Sequence, residues 1–186
     1  IEYYRAHPAR VASLTLESAC LDIPAYAQRA KELVGTLSKS SQLAVKKAEA
    51  SGKYDDPGYQ QAIDEYYSLY LFRHPVKSDL DSTFATVNEG IYVYMQGVNE
   101  FTVTGTLKEY DVTSSLPGFK VPTLYTVGEF DEIGPELVKG FAAKTPNSRF
   151  VQFAGSAHIT PWDARDENVR VVREFLGLAD SVAAGQ

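Results

Sequence analysis

The sequence predicts an α/β fold, a parallel sheet flanked by helices, interrupted by a long helical insertion. Three observations predict it. Strand-like and helix-like stretches alternate near both ends of the chain. The middle carries helical patterning alone. The alternation resumes after Leu116-Pro117-Gly118, and alternating strands and helices imply parallel pairing through right-handed crossovers.

Residues 1–8 (IEYYRAHP) read as the end of an amphipathic helix. Pro8 stops it, because proline lacks an N–H and restricts the residue before it. Residues 11–18 alternate branched and small side chains as a strand does. From Pro24 to about Asn99 helical stretches follow one another, at 25–37, 42–51, 58–72 and around 80–96. Breaks fall at Ser51-Gly52 and at Asp55-Asp56-Pro57-Gly58, a turn leading into a helix start. Tyr59, Tyr66, Tyr67 and Tyr70 recur near helical spacing, which fits a packed helix face or a face turned to substrate. Residues 121–127 form the next expected strand, with Pro122 near its start where a ladder tolerates it. A loop at 128–132 leads to a helix over Pro135–Lys144 with proline in its first turn. A strand at 148–154, a loop at 155–158 and an amphipathic helix at 166–176 complete the pattern, and 182–186 reads as a frayed tail. The expected division is a core of residues 1–22 and 116–186 with a helical cap of 23–115.

With 186 residues, of which 44% are hydrophobic, the chain can bury the core of one domain, or of a core plus a lid. A formal net charge of −6 disfavours nucleic acid or an anionic membrane as partner, since both need a positive field. No apolar run approaches the roughly 20 residues that span a bilayer. The single cysteine, Cys20, forbids an intrachain disulfide and favours a reducing compartment, so a cytoplasmic location is expected. No Cys/His cluster has zinc spacing, and no cofactor is expected. The chain opens on Ile1 rather than Met, and no signal or transit peptide is visible in these residues, where an absent N-terminus could not show one.

Ligands of open parallel sheets bind beyond the carboxyl ends of the strands. Two loops leave such ends here. One carries Asp131 and the other His158. An acid that orients a histidine, which takes a proton from a nucleophile, needs only these two loops side by side. Singly, Asp131 reads equally well as a helix N-cap, and a lone histidine is commonly structural. Together, in the order acid then histidine on consecutive strand–loop–helix units, they match the chain order of the α/β-hydrolase triad. The fold expected is therefore the C-terminal part of an α/β hydrolase with an inserted helical cap. His7 and His74 carry no such context. No G-x-S-x-G occurs in the sequence, and the elbow geometry places the nucleophile about ten residues before Ile1. Cys20, near the end of the first strand, is an alternative nucleophile that reads more simply as a small buried residue.

Several stretches carry a resemblance. Residues 99–111 (NEFTVTGTLKEYD), Val121-Pro122-Thr123-Leu124 and Gly128-Glu129-Phe130-Asp131-Glu132 closely resemble segments of proline iminopeptidases. Residues 54–73 (YDDPGYQQAIDEYYSLYLFR) are similar to the cap helices of that family, including its tricorn-interacting aminopeptidase branch. Ala6-His7-Pro8-Ala9-Arg10-Val11 looks like the end of the helix behind the nucleophile, a pattern common to many α/β hydrolases. The resemblance implies a serine exopeptidase that releases an N-terminal residue, proline or another small or apolar one, from short peptides. It makes Asp131 the triad acid, His158 the base, and Glu100 and Glu132 the acceptors of the substrate α-ammonium. Paired desolvated carboxylates would select substrates bearing a free cation. Read by themselves, Glu100 is a solvated loop carboxylate and Glu132 a first-turn helix residue favoured by the helix dipole. The resemblance further implies an N-terminal fragment, or a second chain, carrying the serine. Two other functions stay open: an amino-acid amidase or related amide or ester hydrolase, and a non-catalytic binding or accessory chain.

Overall fold

The computed structural model describes residues 1–184, with side chains through residue 180. Three strands, β1 (Leu14–Glu17), β2 (Thr123–Gly128) and β3 (Ser148–Phe153), form a parallel sheet in the order β1-β2-β3. Leu14 pairs with Thr123, and Thr123 with Ser148, so the three strands start level. β2 lies between the others, and all six of its residues are buried. Successive strand residues point to opposite faces. Leu124 accordingly packs with Phe153, Val171 and Phe175, the last two on α9 (Arg165–Ala184). Tyr125 and Val127 face the other way, into a cluster with Val138 and Phe141 of α7 (Pro135–Lys144). The sheet thus has a helix on each face, as a buried parallel sheet requires.

At the start, α1 (Glu2–Ala6) packs Tyr4 edge-on against Phe119, with ring centroids 4.8 Å apart. β1 is shorter than the alternation of residues 11–18 predicts. A 3₁₀ turn at Pro8–Arg10 delays it, and Ser18 ends it by adopting a positive φ of 47°.

Five helices separate β1 from β2 in the chain: α2 (Ile23–Val34), α3 (Lys39–Ser51), α4 (Pro57–Tyr70), α5 (Lys77–Thr86) and α6 (Glu89–Met95). Side-chain caps fix four starts. Asp22, Ser38, Asp56 and Asn88 accept the backbone N–H of Ala25, Ser41, Gly58 and Ile91, respectively. The caps at Asp22 and Ser38 begin α2 and α3 earlier than apolar periodicity alone indicates. The Asn88 cap divides the single stretch expected around 80–96 into two helices. Tyr26, Ala30, Val45, Ala48, Tyr59, Ala62, Tyr66 and Phe101 join the same core cluster as Tyr125 and Val127. The helical insertion and the sheet therefore share one continuous apolar interior. α9 runs on through Ala184, past the expected end at 176 and into the segment expected to fray, of which residues 185–186 lie outside the described part. Among the described residues no helix is long and apolar enough to cross a membrane.

Candidate active site

β2 and β3 are parallel neighbours, so their carboxyl ends open at one edge. The loops that leave them are tied together. The Glu129 N–H donates to the Phe153 carbonyl at 2.9 Å, the Phe130 N–H to the Ser156 carbonyl at 2.8 Å, and the Gly155 N–H to the Glu129 carboxylate at 2.8 Å. Gly128 sits where they cross. A Cβ there would collide with the carbonyls of Ser156 and Ala157, so only glycine lets these backbones approach.

This closure brings Asp131 to His158. Asp131 is fully buried, and its Oδ1 lies 3.1 Å from His158 Nδ1 while also accepting the Ile133 N–H at 2.9 Å. The residue that caps α7 is Gly134, so Asp131 is not a helix cap. The His158 side chain keeps 30% exposure and lines a cavity of about 590 Å³ with Tyr67, Leu71, Phe84, Tyr92 and Glu100. Its backbone is held from three sides. The His158 N–H donates to the Tyr70 carbonyl at 3.2 Å, the Ile159 N–H donates to the Leu71 carbonyl at 2.8 Å, and the Ser18 hydroxyl donates to the His158 carbonyl at 2.8 Å. The end of α4 and the end of β1 thus both set the place of the histidine.

Glu132 is also fully buried, and both of its carboxyl oxygens lack a hydrogen-bond partner among the described residues. α7 begins only at Pro135, so Glu132 is not part of its first turn. Glu100 enters the region from the segment after α6. Tyr92 Oη donates to Glu100 Oε1 at 2.8 Å, and Tyr26 Oη donates to the Glu100 carbonyl at 2.6 Å. The buried Asn99 pins this turn. Its Oδ1 accepts the N–H groups of Phe101 (3.1 Å) and Thr102 (2.8 Å), and its Nδ2 donates to Tyr59 Oη at 2.6 Å. Glu100 is therefore half-buried and held, unlike a solvated loop carboxylate.

The electrostatics follow from crowding three acids around one base. Burial, then the charge of Glu100, pushes the Glu132 carboxyl well above its ordinary value. Burial alone would push His158 down. The Asp131 carboxylate, its hydrogen bond and the charges of Glu132 and Glu100 outweigh that and raise it to about 10. Tyr66, Tyr67 and Tyr92 are raised by burial and by the same two glutamates, so their phenols stay neutral donors. Tyr67 and Tyr92 line the cavity, whereas Tyr59 and Tyr66 are packed inside. The Cys20 thiol is pushed up to about 12, chiefly by burial, and its Sγ lies 3.5 Å from the Asp22 carbonyl. A thiol so placed is a poor nucleophile. His7 and His74 are exposed. Among the described residues no group of three or more His, Cys, Asp or Glu is arranged to hold a metal ion.

Three residues around this site escape the sequence. Ser18 carries a weak signal only in hindsight, as a non-glycine residue in the left-handed region. Tyr92 lies in the stretch read as one helix. Asp163 accepts N–H groups from residues about ninety positions away, and nothing local announces that.

An acid–imidazole pair with a cavity on its open side can take a proton from a hydroxyl and return it to a leaving group. No protein-family model matches the chain. The proline iminopeptidase of Thermoplasma volcanium is 30% identical over 178 residues, covering 95% of this chain and 60% of its own length. That of Saccharolobus solfataricus is 31% identical over 182 residues, covering 95% of this chain and 57% of its own. Among solved structures, the proline iminopeptidase of Mycobacterium smegmatis superposes with a TM-score of 0.87 at 30% identity, covering 98% of this chain and 62% of that one. VinJ superposes equally well, with a TM-score of 0.87 at 28% identity over 94% of this chain and 61% of its own. A thermophilic esterase, at a TM-score of 0.62 and 16% identity, shares the fold alone. The architecture is that of α/β hydrolases. The chain spans about three-fifths of the length of the curated relatives it matches.

Proposed function

We propose that this chain, a homologue of proline iminopeptidases over nearly its whole length, is the acid–base and amine-recognising part of a serine exopeptidase. Its substrates are short peptides or aminoacyl amides with a free N-terminus, and the residue released is proline or another small or apolar one. The serine comes from outside residues 1–186, on an N-terminal segment or a second chain. Asp131 orients His158 through Nδ1, which leaves Nε2 as the working nitrogen. That nitrogen takes the serine proton as the serine oxygen attacks the scissile carbonyl, then gives it to the departing amine. The acyl-enzyme is cleared by water, with the same nitrogen as base.

The observation that carries this reading is the buried Glu132 carboxyl group beside the Asp131–His158 pair, near the Tyr66 phenol but with no donor in hydrogen-bond geometry, and with Glu100 lining the same cavity as His158. A buried carboxylate without a partner is costly unless a group satisfies it. A substrate ammonium does so, and it does a second thing. The Asp131 and Glu100 carboxylates hold His158 protonated while Glu132 stays a neutral acid, and a protonated imidazole cannot act as base. One positive charge set among the same acids offsets that field and frees the base.

The test is hydrolysis, in the assembled enzyme, of an aminoacyl anilide with a free amine against its N-acetyl counterpart. The free amine should be strongly preferred, and His158→Ala should abolish turnover without unfolding the chain. Equal rates on both substrates would remove the amine-recognition role. Turnover of aminoacyl amides without turnover of peptides would favour the amidase.

A further inference from the structure

One carboxylate outside the acid–base pair joins two parts of the chain beside His158. Asp163 ends α8 (Thr160–Asp163), the short helix after the histidine loop. Its Oδ2 accepts the N–H of Ala157, the residue before His158, at 2.8 Å. Its Oδ1 accepts the N–H groups of Arg73 at 2.9 Å and His74 at 2.7 Å. These belong to the segment that leaves α4. The same segment reaches the site at three more places. The carbonyls of Tyr70 and Leu71 accept from His158 and Ile159. The Phe72 ring meets Trp162 of α8 edge-on, with centroids 5.9 Å apart. The Arg73 guanidinium lies 4.1 Å from the centroid of Phe130, the residue before Asp131. Residues 70–74 thus touch both the loop that carries the acid and the loop that carries the base. Leu71 also lines the cavity that His158 faces.

This arrangement is more than a local cap. A carboxylate satisfied within its own loop would fix that loop's shape and nothing else. Here one carboxylate gathers N–H groups from two segments, and charge-assisted bonds of this kind are the stronger class. The backbone ladder from 70–71 to 158–159 then sets the height of the imidazole against Asp131.

We infer that Asp163 is a positioning residue: it staples the end of α4 to the histidine loop and thereby holds His158 in hydrogen-bond register with Asp131. The inference rests on the acid–base reading of that pair, but its first readout does not need turnover. The charges acting on His158 are those of Asp131 and Glu132 on the loop after β2 and Glu100 after α6, while Tyr67 on α4 and Tyr92 on α6 line the same cavity. Asp163 itself faces backbone N–H groups, and Arg73 faces Phe130. Substitution of Asp163 should therefore act on His158 through distance to Asp131.

The experiment is NMR of the His158 imidazole in the intact chain, as wild type, Asp163→Ala and the isosteric Asp163→Asn. Asp56→Ala serves as control, because Asp56 caps the far end of the same helix α4. The wild type should show a downfield, hydrogen-bonded Nδ1 proton and a titration near the raised value of about 10. Both Asp163 variants should lose the downfield proton and titrate closer to the ordinary 6.5, while Asp56→Ala, although destabilised, keeps the wild-type signature. In the assembled enzyme the same variants should lower kcat by about 100-fold with KM within about threefold, the pattern of a misplaced catalytic group. Wild-type His158 signals in folded Asp163 variants would overturn the inference. Failure of both variants to fold would overturn it as well, since the staple would then serve stability alone. If the His158 signals respond as expected but free-amine substrates gain no preference, the positioning role stands and the aminopeptidase reading falls.

Discussion

Replacing Glu132 by Gln removes one ionisable group from the interior without changing its shape, and its effect on stability has a definite sign. The Glu132 carboxyl is raised well above its ordinary value of 4.5 by burial and by Glu100. The folded chain therefore holds this proton at a pH where the unfolded chain has released it. Stability from such a group is fully present below the unfolded pKa and is lost as pH rises toward the folded one. The slope is one proton, about 1.4 kcal/mol per pH unit. His158, raised from 6.5 to about 10, acts in the same direction but only above its unfolded value. Glu2, Asp56, Glu65 and Asp111 are lowered, and their contributions are complete once pH exceeds the ordinary carboxylate range. That leaves a window between the ordinary carboxylate and histidine ranges in which Glu132 dominates, and over which the wild type should lose stability as pH rises. Urea unfolding at several pH values reads this directly, provided the slope with denaturant is constant. Glu132→Gln should be flat across the window and more stable than wild type at its upper end. A flat wild type, or an unchanged slope in the variant, would refute the claim that Glu132 is buried as the neutral acid in the empty site.

Two further outcomes follow from the same geometry. Glu100→Gln keeps the shape and an acceptor for Tyr92 but removes a charge, so kcat/KM for free-amine substrates should fall by about 2–3 kcal/mol, roughly 30- to 150-fold, while a neutral ester changes little. Gly128→Ala would drive a methyl into the Ser156 and Ala157 carbonyls, costing about 1–3 kcal/mol in thermal or urea unfolding and weakening the His158 signature in NMR.

The strand–loop–helix units at the C-terminal end were legible because each signal is local. Pro135 opens α7 where its missing N–H costs nothing, and β2 (TLYTVG) is a short run of β-branched and aromatic residues bounded by Pro122 and Gly128, as a strand is. Asp131 and His158 were legible for the same reason, since each lies a few residues past a strand end. The helix starts were missed where caps preceded apolar periodicity: Ser38 and Asp22 are caps by residue type, and Asn88 splits a stretch whose apolar residues run across the break. Long-range bonds account for the rest. Nothing in the sequence around Asp163 marks its carboxylate, and only the folded chain brings Arg73 and His74 to it. The absence of a partner for Glu132 is likewise a property of packing, invisible in the dipeptide Asp131-Glu132.

The central claim is that a substrate ammonium enters the acidic cluster and frees His158 to act as base. The most direct measurement is NMR titration of His158 in this chain, alone and saturated with L-prolinamide, with N-acetylprolinamide as the uncharged comparison. The account predicts that prolinamide brings the His158 pKa down from about 10 toward its ordinary 6.5, that the acetylated compound leaves it in place, and that Glu132→Gln weakens the response. A pKa that neither compound moves, or that both move equally, would contradict it.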